Sequence, residues 1–279
     1  MSILACGRFE LDLSSPKIMA IVNLTTNSFS GDGLSGDQSA ALRRAEEAVR
    51  AGAEILDIGA ESTRPGSDPV PEQQEIDLLL PVLEELVRWQ LPISVDTLKP
   101  ATMRAVLAAG ADMINDVNGF RAHGAIEAVA GTKAALCVMH MQGEPATMQA
   151  DPRYDDVVAE VSDWLSGRAE AAMAAGVARE RIRLDPGIGF GKTAAHNLVL
   201  TANLHRLVAA GFPVLYGASR KRTIQSIDPT ATDPGDRLGG SLALALEAAR
   251  GGASIIRVHD VRETVQALAV QAAVAEACD

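Results

Sequence analysis

The sequence predicts an α/β chain closed into a (β/α)8 barrel, and three observations predict it. Eight short apolar runs recur along the chain. They are continuously apolar rather than alternating, which suits parallel strands buried on both faces. The segments between them are rich in Ala, Leu, Glu and Arg, the composition of helices. Small residues around a glycine recur just before several runs: Ala51-Gly52-Ala53, Ala109-Gly110-Ala111, Ala210-Gly211-Phe212 and Gly251-Gly252-Ala253. A glycine just past a helix end takes the left-handed conformation that closes the helix and returns the chain to the sheet.

The elements follow in order. Before Lys17, the strand-like FELDL predicts a short N-terminal hairpin covering one barrel end. The eight runs are IMAIVNL (18–24), ILDIGA (55–60), ISVDT (93–97), MINDV (113–117), ALCVMH (135–140), IRLDPG (182–187), VLYGAS (214–219) and IIRVHD (255–260). Residues 40–51 place Leu42, Ala45 and Val49 on one helical face. The segments after the first two runs, TTNSFSGDGLSGD and STRPGSDPVPE, are rich in Gly, Ser, Thr and Pro and read as long loops. Together these units make a TIM barrel over about residues 17–279, in a chain 1–279 that reads as a single domain. A doubly wound open sheet is the alternative architecture. Loops that follow strands lie at the C-terminal face, where barrel active sites are built.

Composition bounds the partners. At 279 residues, 47% hydrophobic and 22% charged, the chain is ordinary for a soluble globular protein. A formal net charge of −11 argues against nucleic acid or a membrane surface as partner, since both need a basic face. An anionic substrate would need positive charge gathered at its site. The cysteines, Cys6, Cys137 and Cys278, are few, odd in number and show no C-x-x-C, so neither a disulfide framework nor a zinc site is implied. The N-terminal MSILACGRFELDL has an early charge and no long apolar run. No signal peptide or transmembrane span is read there, and the expected compartment is the cytoplasm.

Polar residues stand where the strands should end: Asn23, Asp57 and Glu61, Asp96, Asn115 and Asp116, His140, Asp185, Ser219, Arg220 and Lys221, then Arg257, His259 and Asp260. One of them could be a helix cap, but a full ring at one end is not required for folding. Asp96, Asn115 and Asp185 offer acceptors, and Asn115 donors as well, a set that suits a flat heterocycle with a guanidine-like edge. Arg220, Lys221, Arg257 and His259 offer anion contacts near strands seven and eight, where TIM barrels often bind phosphate. Other signals read as structural. GIGFGKT (187–193) resembles a phosphate-binding loop but has Pro186 where that motif needs glycine. His140, His196 and His205 lack ligand spacing, and His140 reads as a satisfied barrel-mouth histidine. Met139, Met141 and Met148 read as packing.

In this setting the stretches IVNLTTNSFS, ESTRPG, SVDT, INDV, MHMQGEPATMQ, DPGIGFGK, SRK, RLGGSLA and RVHDV become recognisable. Taken in order, over nearly the whole chain, they resemble the dihydropteroate synthases, pterin-binding TIM-barrel transferases of folate biosynthesis. The resemblance implies condensation of 6-hydroxymethyl-7,8-dihydropterin diphosphate with 4-aminobenzoate, giving 7,8-dihydropteroate and diphosphate. It implies a pterin pocket of Asp96, Asn115, Asp185 and Lys221, with Arg257 stacking over the ring. It places the diphosphate on Asn23, Thr63, Arg257 and His259, with Mg²⁺ bridging through Asn23, and 4-aminobenzoate near Pro65, Phe190 and Lys221. Asn23, Arg64, Lys221, Arg257 and His259 form the implied catalytic set; Ser219 and Arg220 join the binding residues, and Phe29 and Asp32 belong to the first loop. A homodimer and a sulfonamide target are implied by the resemblance alone.

The chemistry agrees with that implication. A C–O bond breaks at a CH₂ group whose electron-rich ring can carry developing positive charge, and the arylamine is already neutral at pH 7. No strong base–nucleophile pair is needed; the demand is for stabilisation of the leaving anion. The chain departs from the family pattern at Thr26 and Asn27, at Gly31 and Asp32, at Ala20 and Ala60, and at Arg222 and Gln225. Two alternatives stay open at this point: a catalytically weakened pterin-binding paralogue, and a pterin-binding methyltransferase module.

Overall fold

A computed structural model describes residues 3–24, 38–61 and 69–277. The chain opens with an antiparallel hairpin, β1 (Ile3–Cys6) and β2 (Phe9–Asp12). Strands and helices then alternate: β3 (Lys17–Asn23), α1 (Gln38–Arg50), β4 (Ile55–Gly59), α2 (Glu72–Leu86), β5 (Ile93–Asp96) and α3 (Pro100–Ala108). Next come β6 (Met113–Asp116), α4 (Ala125–Ala130), β7 (Ala135–Met139), α5 (Val157–Ala174), β8 (Ile182–Asp185), α6 (Ala194–Ala202) and α7 (Leu204–Val208). The last elements are β9 (Leu215–Tyr216), α8 (Arg222–Gln225), α9 (Leu238–Arg250), β10 (Ile255–Val258) and α10 (Val261–Glu276).

Each of the eight apolar runs coincides with one strand of a parallel sheet ordered β8-β7-β6-β5-β4-β3-β10-β9, with β3 starting one residue earlier at Lys17. The free edges meet through a parallel bridge between Leu184 and Val214, where the Leu184 N–H donates to Pro213 O at 3.0 Å. The sheet is therefore a closed (β/α)8 barrel, not an open one. The glycines read as helix terminators do that work: Gly52, Gly110, Gly211 and Gly252 all have positive φ, between 77° and 105°.

Strand geometry sorts side chains by parity. Leu56, Ile58, Val95, Ile114, Leu136 and Val138 join the main core between strands and helices. Met19, Ile55, Met113, Ala135, Cys137, Leu215 and Ile255 form a second core with Leu4, Cys6 and Leu13 of the N-terminal segment. Most of these are the first residues of their strands, so the hairpin seals the end where the strands begin. The helical face over residues 40–51 differs from expectation. Ala41 and Ala45 are buried, Leu42 only partly, and Val49 is exposed. Small residues let α1 lie close to the barrel, and that rotation turns Val49 outward.

Candidate active site

The other end of the barrel is polar. Asp57, Asp96, Asn115, Asp185 and Arg257 come from five different strands and face one mouth. Arg257 is the hub: its Nε donates to Asp57 Oδ2 at 2.6 Å and its terminal nitrogen to Asp96 Oδ2 at 3.0 Å. Asn115 Nδ2 donates to the same Asp57 oxygen at 3.2 Å. Burial by itself would lower the Arg257 pKa, but Asp57 and Asp96 outweigh it and hold the guanidinium charged. Burial pushes the Asp96 carboxyl up to about 7 against the pull of Arg257. Asp57 Oδ1 and Asn115 Oδ1 are buried and have no hydrogen-bond partner among the described residues. Two unpaired buried acceptors carry a desolvation cost that a donor-bearing ligand would offset.

Asp185 ends β8 with its Oδ1 accepting from the Gly187 N–H at 2.7 Å. Its pKa is raised by burial, with Lys221 opposing. Lys221 stands just before the short helix α8, at its N-cap, and reaches back: its Nζ donates to Ile188 O and lies 4.6 Å from the Phe190 ring centroid. Burial pushes the Lys221 ammonium down to about 8, and Asp185 resists the shift. His259 follows β10; its Nδ1 shares a 3.0 Å hydrogen bond with Ser219 Oγ, and its N–H donates to the same oxygen at 3.2 Å. Asn23 ends β3, half-buried, beside Gly59 in register.

Arg220 stands in a left-handed turn, φ 59°, rare for a residue with a side chain. The surroundings enforce it. Its N–H donates to Ser241 Oγ at 2.9 Å, its carbonyl accepts from Arg237 at 2.9 Å, and its guanidinium meets both Asp260 oxygens at 3.0 and 2.6 Å. That turn sets Ser219 and Lys221 on either side of it.

The placement answers the sequence reading residue by residue. Asp96, Asn115, Asp185, Lys221 and Arg257 are brought together at the mouth. Phe190 sits under Lys221. Ser219 joins His259, while the Arg220 side chain is engaged with Asp260. Phe29, Asp32, Thr63, Arg64 and Pro65 lie outside the described residues, as do Thr26, Asn27 and Gly31. Among the described residues no three His, Cys, Asp or Glu side chains converge as a metal set. The expected split into a heterocycle half and an anion half is bridged by Arg257, whose carboxylate partners sit in the first half.

Sequence reasoning gave no role to Asp57, though it stands in the ring at a strand end. It also missed Lys192, Asn197 and Tyr154, which shape the loop after β8. Gly187, Gly189 and Gly191 all have positive φ, and a Cβ at Gly187 would lie 1.9 Å from His140 O. The glycine pattern that resembles a phosphate loop thus serves close backbone packing. His140 is buried and satisfied, as read: burial pushes its pKa down to about 3, with Lys192 adding to the effect. Met139, Met141 and Met148 pack with Val117, and Phe190 lies against them.

Comparison with known proteins adds an independent line. Residues 19–259 match the family model described as pterin binding enzyme. A dihydropteroate synthase of Neisseria meningitidis serogroup B is 48% identical over 270 residues, covering 95% of this chain and 94% of that one. The structure is similar to Yersinia pestis dihydropteroate synthase with a sulfonamide drug complex, with TM-score 0.94, 43% identity and coverage of 98% and 99% of the two chains. It is also similar to Burkholderia cenocepacia dihydropteroate synthase complexed with 7,8-dihydropteroate, with TM-score 0.91, 46% identity and coverage of 99% and 98%.

Proposed function

The chain belongs to the pterin-binding enzyme family, among its dihydropteroate synthases, and we propose that it condenses 6-hydroxymethyl-7,8-dihydropterin diphosphate with 4-aminobenzoate. One observation carries the assignment of residues. Buried acceptor oxygens, Asp57 Oδ1 and Asn115 Oδ1, find no partner among the described residues and stand beside Asp96, Asp185, Arg257 and Lys221, all at one barrel mouth. A pterin edge presents ring and amino N–H groups that suit such acceptors, and carboxylates make the stronger charge-assisted bonds.

In this reading Asp96, Asn115 and Asp185 bind the pterin edge. Arg257, already fixed by Asp57 and Asp96, lies across the ring with little freedom to lose. His259, oriented by Ser219, and Arg257 face the diphosphate, and Thr63 and Arg64 join them. The C–O bond to the diphosphate breaks as charge spreads into the pterin ring. The amine nitrogen of 4-aminobenzoate then forms the new C–N bond, and its proton leaves to the departing phosphate or solvent. Lys221, with Phe190, holds the acceptor.

Mg²⁺ fits this arrangement as a companion of the diphosphate. Asn23 supplies one hard oxygen at a strand end, and magnesium commonly takes one or two protein ligands and completes its shell with phosphates and water. When bound, it would neutralise charge on the leaving group. The same reading makes the protein a cytoplasmic homodimer and a target of sulfonamides. No described helix is long and apolar enough to cross a membrane, and exposed Val270 and Val274 on α10 would suit cover by a second copy.

The deciding experiment is turnover with both substrates, followed as release of diphosphate and appearance of 7,8-dihydropteroate. Product with both substrates, and none when either is omitted, is the expected result. Tight pterin binding without turnover would instead identify a weakened paralogue.

A further inference from the structure

The loop that follows β8 has little structure of its own. Over residues 187–191 three glycines have positive φ, and a single internal turn, Phe190 N–H to Gly187 O at 3.0 Å, holds it. Glycine-rich backbone loses the most freedom on ordering, so such a loop must be fixed from outside. Lys192 does this from beneath. Its side chain is buried, and its Nζ lies 2.9 Å from His140 Nδ1, 2.9 Å from Phe190 O, 3.1 Å from Gly187 O and 3.4 Å from His140 O. Every hydrogen-bond partner is a nitrogen or carbonyl acceptor, and no carboxylate forms an ion pair with it among the described residues. Burial pushes its pKa down to about 7, with the nearby Asp185 carboxylate opposing.

Other side chains complete the clamp. Tyr154 donates to Gly191 O at 2.8 Å, and Gln149 to Gly189 O at 2.5 Å. On the far side Asn197 Oδ1 accepts from Gly189 N at 2.9 Å, while its Nδ2 donates to Thr223 Oγ1 at 2.9 Å. The fixed loop presents two things to the mouth: the Phe190 ring and the Ile188 carbonyl, and both engage Lys221. The Asn197–Thr223 link ties the loop to the helix that Lys221 precedes.

We infer that Lys192 is a positioning residue for the acceptor substrate, its buried ammonium fixing the loop carbonyls so that Phe190 and Lys221 are held in register for 4-aminobenzoate. This rests on the synthase reading, in which Phe190 and Lys221 line the acceptor pocket. A cation costs several kcal/mol to bury, and an apolar residue would fill the same space without that cost. Spending it on loop carbonyls makes sense when loop geometry, not bulk stability, is at stake. The pterin residues Asp96, Asn115 and Arg257 lie on strands β5, β6 and β10 and share no hydrogen bond with Lys192. Asp185 feels the Lys192 charge and accepts from the same Gly187, so the pterin site is touched at one residue while the acceptor wall depends on the whole loop.

The test is Lys192→Met, which keeps length and removes the ammonium. The KM for 4-aminobenzoate, and its dissociation constant by calorimetry, are expected to rise about tenfold or more, as loss of a charged hydrogen-bonding group predicts. Affinity for the pterin diphosphate should fall less, since Asp96, Asn115 and Arg257 keep their contacts and only Asp185 loses a neighbouring charge. An unchanged acceptor constant, or equal loss for both ligands, overturns the inference. If Lys192→Met does not fold, Tyr154→Phe removes one bond to the same loop and is read the same way, with an unchanged acceptor constant again overturning it. An inactive wild type would sink the synthase reading, and direct binding of 4-aminobenzoate to wild type and variant would then decide the clamp on its own.

Discussion

The two ends of this barrel are built from the same strands and differ in almost everything else. At the end where strands begin, inward positions are Met19, Ile55, Met113, Ala135 and Leu215, sealed by Leu4 and Cys6 of the hairpin. At the end where strands finish, inward positions are Asp57, Asp96, Asn115, Asp185 and Arg257. A strand of four or five residues therefore carries a packing residue and a chemical residue two places apart, as Ile55 and Asp57 do, or Met113 and Asn115. Apolar packing and binding groups are concentrated at opposite ends of the strands.

Arg257→Ala is the largest test of that division. It leaves Asp57, fully buried, without its cation, and breaking such a pair costs about 3–5 kcal/mol. We expect it to weaken binding of the diphosphate ester more than binding of free hydroxymethylpterin, measured by calorimetry; equal losses would reduce Arg257 to a ring-stacking role. Leu4→Ala probes the opposite end. Truncating a fully buried leucine should cost about 2–5 kcal/mol in denaturant unfolding and leave kcat/KM unchanged. A fall in kcat/KM in the folded variant would mean the ends are coupled. Asp185→Asn should weaken pterin binding by roughly ten- to a hundredfold, about 1.5–3 kcal/mol, because a donor replaces one acceptor oxygen. The smallest effect is in the pH profile. With its ammonium lowered to about 8, Lys221 is charged below that pH and neutral above it. The KM for 4-aminobenzoate should therefore climb as pH rises past about 8, and Lys221→Arg should shift that limb to higher pH. The same limb in both proteins would assign the titration elsewhere.

Much of this was legible in the sequence, and the reasons are physical. Continuous apolarity marked the strands because a parallel sheet buries both faces. Glycines marked helix ends because only a residue without Cβ enters the left-handed region cheaply. The ring of strand-end polar residues was visible because nothing in folding demands it. What escaped was pairing across distance. Arg257 lies 161 residues from Asp96 and Lys192 lies 52 from His140, and no local pattern announces either contact. The face of α1 was misjudged for a similar reason: close approach to the barrel favours Ala41 and Ala45 over the larger Val49.

The barrel closes between β8 and β9 through one bridge, Leu184 to Val214, and β9 is only two residues long. Hydrogen exchange reports where a native protein opens first, and opening follows the fewest backbone bonds. Amides along this seam should exchange well before those of β4 and β5. The acceptor wall straddles that seam, with Phe190 on one bank, Lys221 on the other, and the Asn197–Thr223 bond stitched between them. A transient parting there would loosen the acceptor's seat, and with it Asp185 at the end of β8, while Asp96 and Asn115 on β5 and β6 stayed in place. The first breath of the native state and the release of the smaller ligand would then share a single hinge line.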